Sequence, residues 1–202
     1  MELAIANVCR VDIITNGTNA VVMHTTTANK TGCEPKVDEG KEETLRSKNR
    51  IIAQNITEDL VIGYDVTLAD VVVEPETFAL CDGGTLEWNT AKDHFKYSGP
   101  ATGSVVNRKR CTVDVWSEEK DADGETLGYQ RFRLPNCKGS PVSFSIEDGK
   151  FFAPEYKFKS KPKGGQSPIY VDSFDELPGT DLTAAQLLAY TQEPAQEPGG
   201  GA

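Results

Sequence analysis

Apolar and polar residues alternate along most of the chain, a pattern typical of β-strands that bury one face. The segments 8–16 and 20–27 are joined by Asn16 and Gly17. Asn-Gly between two β-branched runs predicts a hairpin, because both residues of such a turn need a positive φ. Further strands are predicted over residues 51–56, 60–73, 85–88, 110–116, 126–134, 141–146 and 150–160. The chain is therefore predicted to be mainly β, a sandwich or barrel.

Two of these strands show a clear two-residue period. Cys111, Val113 and Val115 alternate with other residues, and Tyr156 and Phe158 alternate with lysines. Side chains two residues apart lie on the same face of a strand, so these five positions are predicted to face the core.

One short helix is predicted between the strands, over residues 76–82. Pro75 and the glutamates on either side of it suit the start of a helix, and Gly83 suits its end. The residues of this helix predicted to contact the core are Phe78, Leu80 and Cys81. A second short helix could form over 181–190.

The segment 28–50 breaks the alternating pattern. It mixes both signs of charge densely and holds few large apolar residues, namely Val37 and Leu45. Such a stretch cannot bury a face of its own, so it is predicted to be a long exposed loop between strands. Loops longer than about 12–15 residues are uncommon in compact domains and are usually functional or disordered.

Composition and charge narrow the class of protein. The chain has 202 residues, 38% of them hydrophobic, with a formal net charge of −10. This balance predicts a soluble globular domain with one appendage at most, and it disfavours a protein that grips nucleic-acid phosphates. No apolar run approaches the ~20 residues that span a bilayer, and the acidic N-terminus does not resemble a signal peptide. We expect a soluble protein that is made inside the cell.

Candidate chemistry is sparse. The five cysteines have no zinc-site spacing, the two histidines form no ligand pair, and no nucleophile or phosphate-binding motif occurs. The acidic run at 121–125 lacks most ligand positions of a calcium loop and is interpreted as a hairpin tip. The sequence predicts no catalytic residue, no metal site and no cofactor, so we expect no enzyme.

Taken together, residues 8–178 resemble the major tail protein, or tail-tube subunit, of long-tailed, non-contractile bacteriophages. The resemblance rests on the opening hairpin, the charged segment 28–50, the strand 63–68 (GYDVTL) and the helix setting 74–84 (EPETFALCDGG). The segments 149–158 (GKFFAPEYKF) and 169–172 (IYVD) are similar to the closing strands of that family.

The resemblance implies a tail-tube β-sandwich over residues 1–178, with a flanking helix and with 28–50 as an assembly loop. Residues 179–202 would be a mobile C-terminal extension outside the shared core. Such subunits form hexameric rings that stack into a tube, a passive conduit for the genome in the virion. The implied partners are other copies, the tape measure, tail-tip and tail-terminator proteins, and DNA as a passing cargo that is repelled. No membrane is involved, and assembly takes place in the host cytoplasm.

Two groups of site residues follow as hypotheses. Charged residues of the loop would contact neighbouring subunits or rings: Lys36, Asp38, Glu39, Lys41, Glu42, Glu43, Arg46, Lys48 and Arg50. Asp65 and Asp70 would face the lumen. They lie an odd number of residues apart, so either a bulge near Ala69 shifts the register or only one of them points inward.

Two other classes of protein remain open. The first is the tube subunit of a related injection machine, a contractile tail or a secretion system. The second is a monomeric carbohydrate- or ligand-binding β-sandwich, which would need clustered exposed aromatic residues, whereas Trp88 and Trp116 are isolated in the sequence. An enzyme is a more distant alternative.

Overall fold

The structure is a computed structural model that describes residues 3–191. Within this range the chain forms twelve strands and two short helices, which confirms the predicted mainly β fold with a short helix. The elements are β1 (Ala4–Thr15), β2 (Val22–Thr25), β3 (Ala28–Asp38), β4 (Glu42–Ser47), β5 (Arg50–Ile56), β6 (Leu60–Asp70), α1 (Pro75–Asp82), β7 (Thr85–Trp88), β8 (Phe95–Ser98), β9 (Arg110–Lys120), β10 (Thr126–Gly139), β11 (Glu155–Ser160), β12 (Tyr170–Phe174) and α2 (Ala184–Ala189).

Eight strands form the main sheet, and every pair in it is antiparallel. The order is β2-β1-β9-β10-β11-β6-β3, and β12 also pairs with β10. One edge of β10 pairs with two strands in succession. Residues 129–133 pair with β12, and residues 137–139 pair with β11. A bulge at Asn136, where φ is 55°, separates these two parts. β1 and β3 approach each other, so the sheet curls towards a barrel.

The concave face of the curled sheet encloses the main hydrophobic core. The five positions predicted from the two-residue period all lie in it, and Cys81 of α1 closes it. Neighbouring strands contribute β-branched and aliphatic residues on the same face, Val11, Ile13, Val66, Leu68 and Leu134. The alternation in the sequence therefore identified the core face correctly.

α1 begins one residue earlier than predicted and ends at the predicted residue, Asp82. Pro75 is its first residue, and Gly83 adopts the left-handed conformation with φ 82°. The Gly83 N–H donates to the Ala79 carbonyl oxygen at 2.8 Å. This C-cap ends the helix because a glycine adopts positive φ without a steric penalty.

The opposite face of β1, β9 and β10 is also buried. Residues 178–190 lie over it, and we call them the C-terminal cover. Ile14 packs against Ala184 and Leu187 of α2. The Phe174 and Tyr190 rings stack on each other, and the Trp116 ring meets both at an angle. A Thr183–Gln186 capping box begins α2. The sheet thus has a second, smaller core that the alternating pattern of β9 did not predict.

Charged side chains hold this cover in place. Asp12 is fully buried and accepts hydrogen bonds from Arg10 and from the Trp116 indole, both at 2.9 Å, while His24 Nδ1 lies 2.7 Å from it. Arg10 in turn donates to the Pro178 carbonyl oxygen at 2.6 Å. The cover is therefore bound through its backbone as well as through apolar side chains.

A second pair of charges repeats this arrangement on the next strands. Arg133 binds both carboxylate oxygens of Asp114 and also donates to the carbonyl oxygens of Leu187 and Leu188 at 2.8 Å. Arg131 donates to the Tyr190 carbonyl oxygen at 2.7 Å. Burial raises the pKa of Asp114, and the hydrogen bond from Arg133 opposes that rise.

These contacts correct the expectation that residues 179–202 form a mobile extension. The part up to residue 191 is packed on the sheet, because arginines bind its carbonyl groups and α2 buries an apolar face. Residues 192–202 lie outside the described range. The boundary at residue 178 stays a prediction.

Several predicted element boundaries also differ. The segment 28–50, predicted as a loop, is β3, β4 and the start of β5, because backbone pairing with β6 and β5 needs no apolar side chains. Residues 141–146 form no strand, and β11 begins only at Glu155, where its pairing with β6 starts. β8 was not predicted.

Candidate assembly surface

Residues 36–62 form a two-stranded antiparallel ribbon that projects from the main sheet, and we call it the ribbon. Its register runs from Asp38 opposite Leu60 to Ser47 opposite Arg50. Between the two paired regions, the Thr57 N–H donates to the Lys41 carbonyl oxygen at 3.0 Å, so the pairing is nearly continuous. The turn at its tip is formed by Lys48 and Asn49, and Asn49 lies fourteen residues before Gly63. The ribbon is therefore roughly 45 Å long at ~3.3 Å per residue.

No residue of the ribbon is buried in the described part of the chain, residues 3–191. An isolated two-stranded hairpin is at best marginally stable in water, because it lacks a face packed against a third element. A ribbon of this length is therefore expected to be stable only when it packs against another chain.

Large apolar side chains are exposed along the ribbon. Each exposes between 39% and 63% of its surface, and the set is Val37, Leu45, Ile51, Ile52, Ile56, Leu60, Val61 and Ile62. Leu60 and Val61 are consecutive in a strand, so they point to opposite faces. Both faces thus carry apolar surface, which on a soluble protein marks an interaction site.

The charges of the ribbon are segregated along its length. Between residues 44 and 57 there are three cations, Arg46, Lys48 and Arg50, and no acid. The stem on either side carries six acids and two lysines: Asp38, Glu39, Glu42, Glu43, Glu58 and Asp59, with Lys36 and Lys41. The ribbon therefore has a basic tip and an acidic stem.

The structure brings the nine predicted contact residues together on this element. All nine, from Lys36 to Arg50, are exposed, and within residues 3–191 none has an ion-pair partner closer than 4 Å. Their contact with another subunit stays a prediction. Sequence reasoning missed the apolar residues of the returning strand, although Ile51-Ile52 and Leu60-Val61-Ile62 break the alternation expected of a one-faced strand.

Asp65 and Asp70, the predicted lumenal acids, lie on opposite faces of β6. The register between β6 and β11 runs without a shift from residue 64 to residue 69. β3 has one extra residue opposite Ala69 and Asp70, so this bulge lies in β3, and the alternation of buried and exposed residues along β6 continues to Asp70. Asp70 is 1% exposed and accepts a hydrogen bond from the Thr27 hydroxyl at 2.6 Å. Its predicted lumenal position is wrong, because an odd separation along a regular strand turns it into the interior.

Asp65 is exposed, and its place in a lumen stays a prediction. Directly opposite it stand Lys159 on β11 and Glu34 on β3. Lys36 and Lys161 line the same shallow depression. The surface around Asp65 is therefore mixed in charge rather than acidic.

An apolar cleft lies beside α1, at the opposite end of β6 from the ribbon, and we call it the aromatic cleft. It encloses about 220 Å³ and is lined by Val73, Pro75, Phe78, Phe95, Tyr97, Phe144, Ile146 and Phe152. The Phe78 and Tyr97 rings meet edge to face with centroids 5.1 Å apart. Burial and a hydrogen bond to Asp82 raise the pKa of Tyr97 to about 12, so the phenol stays neutral.

Sequence reasoning did not identify the aromatic cleft. Phe144 and Ile146 were assigned to a strand, and their partners come from three other segments of the chain. Phe144 is 61% exposed and Ile146 is 78% exposed, so this wall of the cleft is open to solvent. The cleft has the character of an apolar docking site rather than of a polar reaction site.

The three buried cysteines, Cys81, Cys111 and Cys137, contact the main core. Burial raises the pKa of Cys81 and of Cys111 to about 12, so both are protonated at neutral pH. Among residues 3–191, no group of three or more histidine, cysteine or acidic residues is placed to hold a metal ion. In the same range, no helix has the length and apolar character needed to cross a membrane.

Comparison with known proteins gives likenesses to solved structures only. No family model matches the chain, and no curated protein matches it. Among solved structures, the chain is similar to one in the cryo-EM structure of the anti-feeding prophage baseplate, which was symmetrised six-fold. That match has a TM-score of 0.42 and 7% sequence identity, and it covers 83% of this chain and 94% of the other. At this TM-score the likeness carries no argument, so the proposal below rests on the chain's own surfaces.

Proposed function

We propose that this chain is a structural subunit that polymerises as stacked rings, six subunits to a ring, into the tube of a phage tail. The tube would be a passive conduit for the genome during ejection, and the subunit would have no catalytic role. The observation that carries this proposal is the ribbon, a projecting element with apolar surface on both faces and no buried residue in the subunit.

The energetics of the ribbon favour repeated contacts over a single pair. Fully burying a large apolar side chain contributes about 1.5–3 kcal/mol, and the eight on the ribbon are already about half buried. Completing their burial therefore contributes roughly 6–12 kcal/mol in all. Association costs about 4–15 kcal/mol in lost freedom, so one such contact is weak. A closed ring, in which each subunit has several neighbours, makes the contacts cooperative.

The charge of the chain is compatible with a conduit for DNA. Six copies at −10 each carry 6 × −10 = −60 formal charges. DNA binding strengthens steeply with each Lys or Arg contact, so an acidic ring lets DNA pass without adhering. We expect Asp65→Lys tubes to assemble normally and to eject the genome more slowly, in a salt-sensitive manner. Unchanged ejection would remove Asp65 from the lumen.

The proposal also names partners and a location. A tube subunit contacts other copies of itself, and at the ends and inside of the tube it meets tape measure, tail-tip and tail-terminator proteins. It would be assembled in the host cytoplasm and be carried in the virion, without a membrane.

Two other functions remain as candidates. A tube subunit of a contractile tail or a secretion system would use the same ribbon and differ only in its partners. A monomeric ligand-binding sandwich is favoured by one observation, the aromatic cleft, which supplies the clustered aromatic residues that the sequence did not show.

Electron microscopy of the purified protein tests the proposal. Negative staining across a range of concentrations should show rings or tubes of constant width, and light scattering should give their mass. The matched control is a variant in which Gly-Gly replaces residues 41–57 and joins Gly40 to Glu58. This variant keeps the pairing of β3 with β6 and should stay a folded monomer. Monomers of the unaltered chain at every concentration, or normal tubes from the shortened one, would contradict the proposal.

A further inference from the structure

β6 joins the ribbon at one end and leads to the aromatic cleft at the other. The ribbon continues from its Leu60 end, whereas Asp70 is followed by Val73 and Pro75 of the cleft. Gly63 and Asp70 are seven residues apart, which is about 23 Å along a strand. The ribbon therefore points away from the cleft of its own subunit and cannot fold back into it.

The tip of the ribbon and the aromatic cleft are complementary in character. The tip exposes Leu45, Ile51 and Ile52, with 54–60% of each side chain free. These apolar residues stand among three cations and no acid. The cleft has a wholly apolar lining.

The charges next to the cleft are mainly acidic. Five carboxylates lie within two residues of its lining residues in the sequence, against two lysines. The carboxylates are Glu74, Glu76, Asp93, Glu147 and Asp148, and the lysines are Lys96 and Lys150. A basic tip would therefore be attracted to this rim, and the attraction would orient it as it approached.

We propose that the ribbon tip of one subunit docks in the aromatic cleft of a second copy, with Ile51 and Ile52 as its anchors. This inference rests on the proposed function, since it assigns the two surfaces through which the subunits polymerise. The occupant of the cleft is thus this chain itself rather than a small apolar ligand.

The contact is heterologous, because its two surfaces lie at opposite ends of β6. Each subunit offers one tip and one cleft, so docking leaves a free tip at one end and a free cleft at the other. Such a contact repeats into a ring or a filament, unless two copies exchange tips reciprocally and close into a dimer.

A mixing experiment tests the head-to-tail geometry. Ile52→Asp places a charge on the ribbon tip, and Phe144→Asp places one in the aromatic cleft. Both side chains are about 60% exposed, so neither substitution should change the fold measured by circular dichroism. A carboxylate buried without a partner is costly, so each variant alone should need at least roughly a hundredfold higher concentration to assemble. One such contact is weak, so an equimolar mixture should form a heterodimer, through its one intact tip and its one intact cleft, at concentrations above those at which the unaltered chain assembles.

The alternatives give different results in the same mixture. If tips pair with tips, Phe144→Asp alone assembles like the unaltered chain. If the cleft holds a small ligand, neither substitution at Phe144 nor mixing changes the mass of the particles. Either result, or a mixture that stays monomeric, overturns the inference.

Photo-crosslinking separates this inference from the proposed function. A benzoylphenylalanine placed at Ile52 in assembled protein should crosslink to residues 141–153 of another copy, and the same probe at Leu127, an exposed position on β10, should not. Tubes whose Ile52 probe reaches another ribbon, the probe's own chain or no protein at all would overturn the docking and leave the tube proposal standing. An unaltered chain that forms no rings or tubes overturns both.

Discussion

Replacing Leu187 with alanine should lower the free energy of unfolding by about 3 kcal/mol. Leu187 lies in α2 and is 1% exposed, packed with Ile14 beneath the C-terminal cover. The substitution removes three carbon atoms from this contact, and burying each contributes about 0.8 kcal/mol, or roughly 2.4 kcal/mol in all. The cavity that remains adds to the loss, so buried Leu→Ala changes usually cost about 2–5 kcal/mol.

The neighbouring residue supplies a matched control. Leu188 has the same side chain in the same helix but is 39% exposed, so Leu188→Ala should cost about 1 kcal/mol or less. The carbonyl oxygens of both residues accept hydrogen bonds from Arg133, and neither substitution alters them. The difference between the two variants therefore reports side-chain packing alone.

Thermal unfolding followed by circular dichroism, at concentrations where the protein is monomeric, measures the difference. For a chain of this size, 1 kcal/mol corresponds to roughly 2–4 °C in the melting temperature. Leu187→Ala should thus melt roughly 6–12 °C below the unaltered chain, and Leu188→Ala within about 4 °C of it. Equal, small shifts for both would show that α2 is not docked and would refute the reasoning.

Further predictions concern the interior. Asp12→Ala leaves a buried guanidinium unpaired and should cost about 3–5 kcal/mol in urea unfolding, against under about 1 kcal/mol for the exposed Glu147→Ala. Gly139→Ala places a Cβ 2.5 Å from a backbone carbon of α1 and should cost at least about 1–3 kcal/mol, whereas Gly164→Ala, with open space around it, should be neutral. Burial raises the pKa values of the buried thiols, so a thiol reagent at pH 8 should leave the three buried cysteines unmodified until the chain unfolds. Cys33 is exposed and should react first. Rapid labelling of all five cysteines in the folded protein would contradict this.

Local signals predicted the parts of the fold that depend on local rules. The period of two in β11 identified Tyr156 and Phe158 as core residues, and Pro75 with Gly83 bounded α1, because backbone geometry alone sets these features. The predicted strand 85–88 matches β7 residue for residue.

Features held by distant backbone groups could not be predicted in this way. β3 pairs through its peptide groups and has few apolar side chains, so its sequence is typical of a loop. The cover is bound by arginines that donate to carbonyl oxygens, and a carbonyl has no signature in the sequence. Phe144 and Ile146 alternate like strand residues, but their side chains line the aromatic cleft and their backbone pairs with no strand.

The same dependence on distance explains why the candidate site was found only in part. The charges of the ribbon were visible because they are dense in one segment, whereas the aromatic cleft is built from segments up to about 80 residues apart. The position of Asp70 was decided by parity along β6, which sequence reasoning had recognised as one of two outcomes.

The charged face beneath the C-terminal cover has a consequence for synthesis on the ribosome. Arg10 is translated 168 residues before Pro178, whose carbonyl it binds. A ribosome that adds about 5–20 residues per second needs roughly 10–30 s to reach the residues that cover β1. An apolar face left open for that time would be prone to aggregate on the nascent chain, whereas the side chains of Arg10 and Asp12 stay hydrated while they wait. Water thus occupies the sites that the end of the chain later takes.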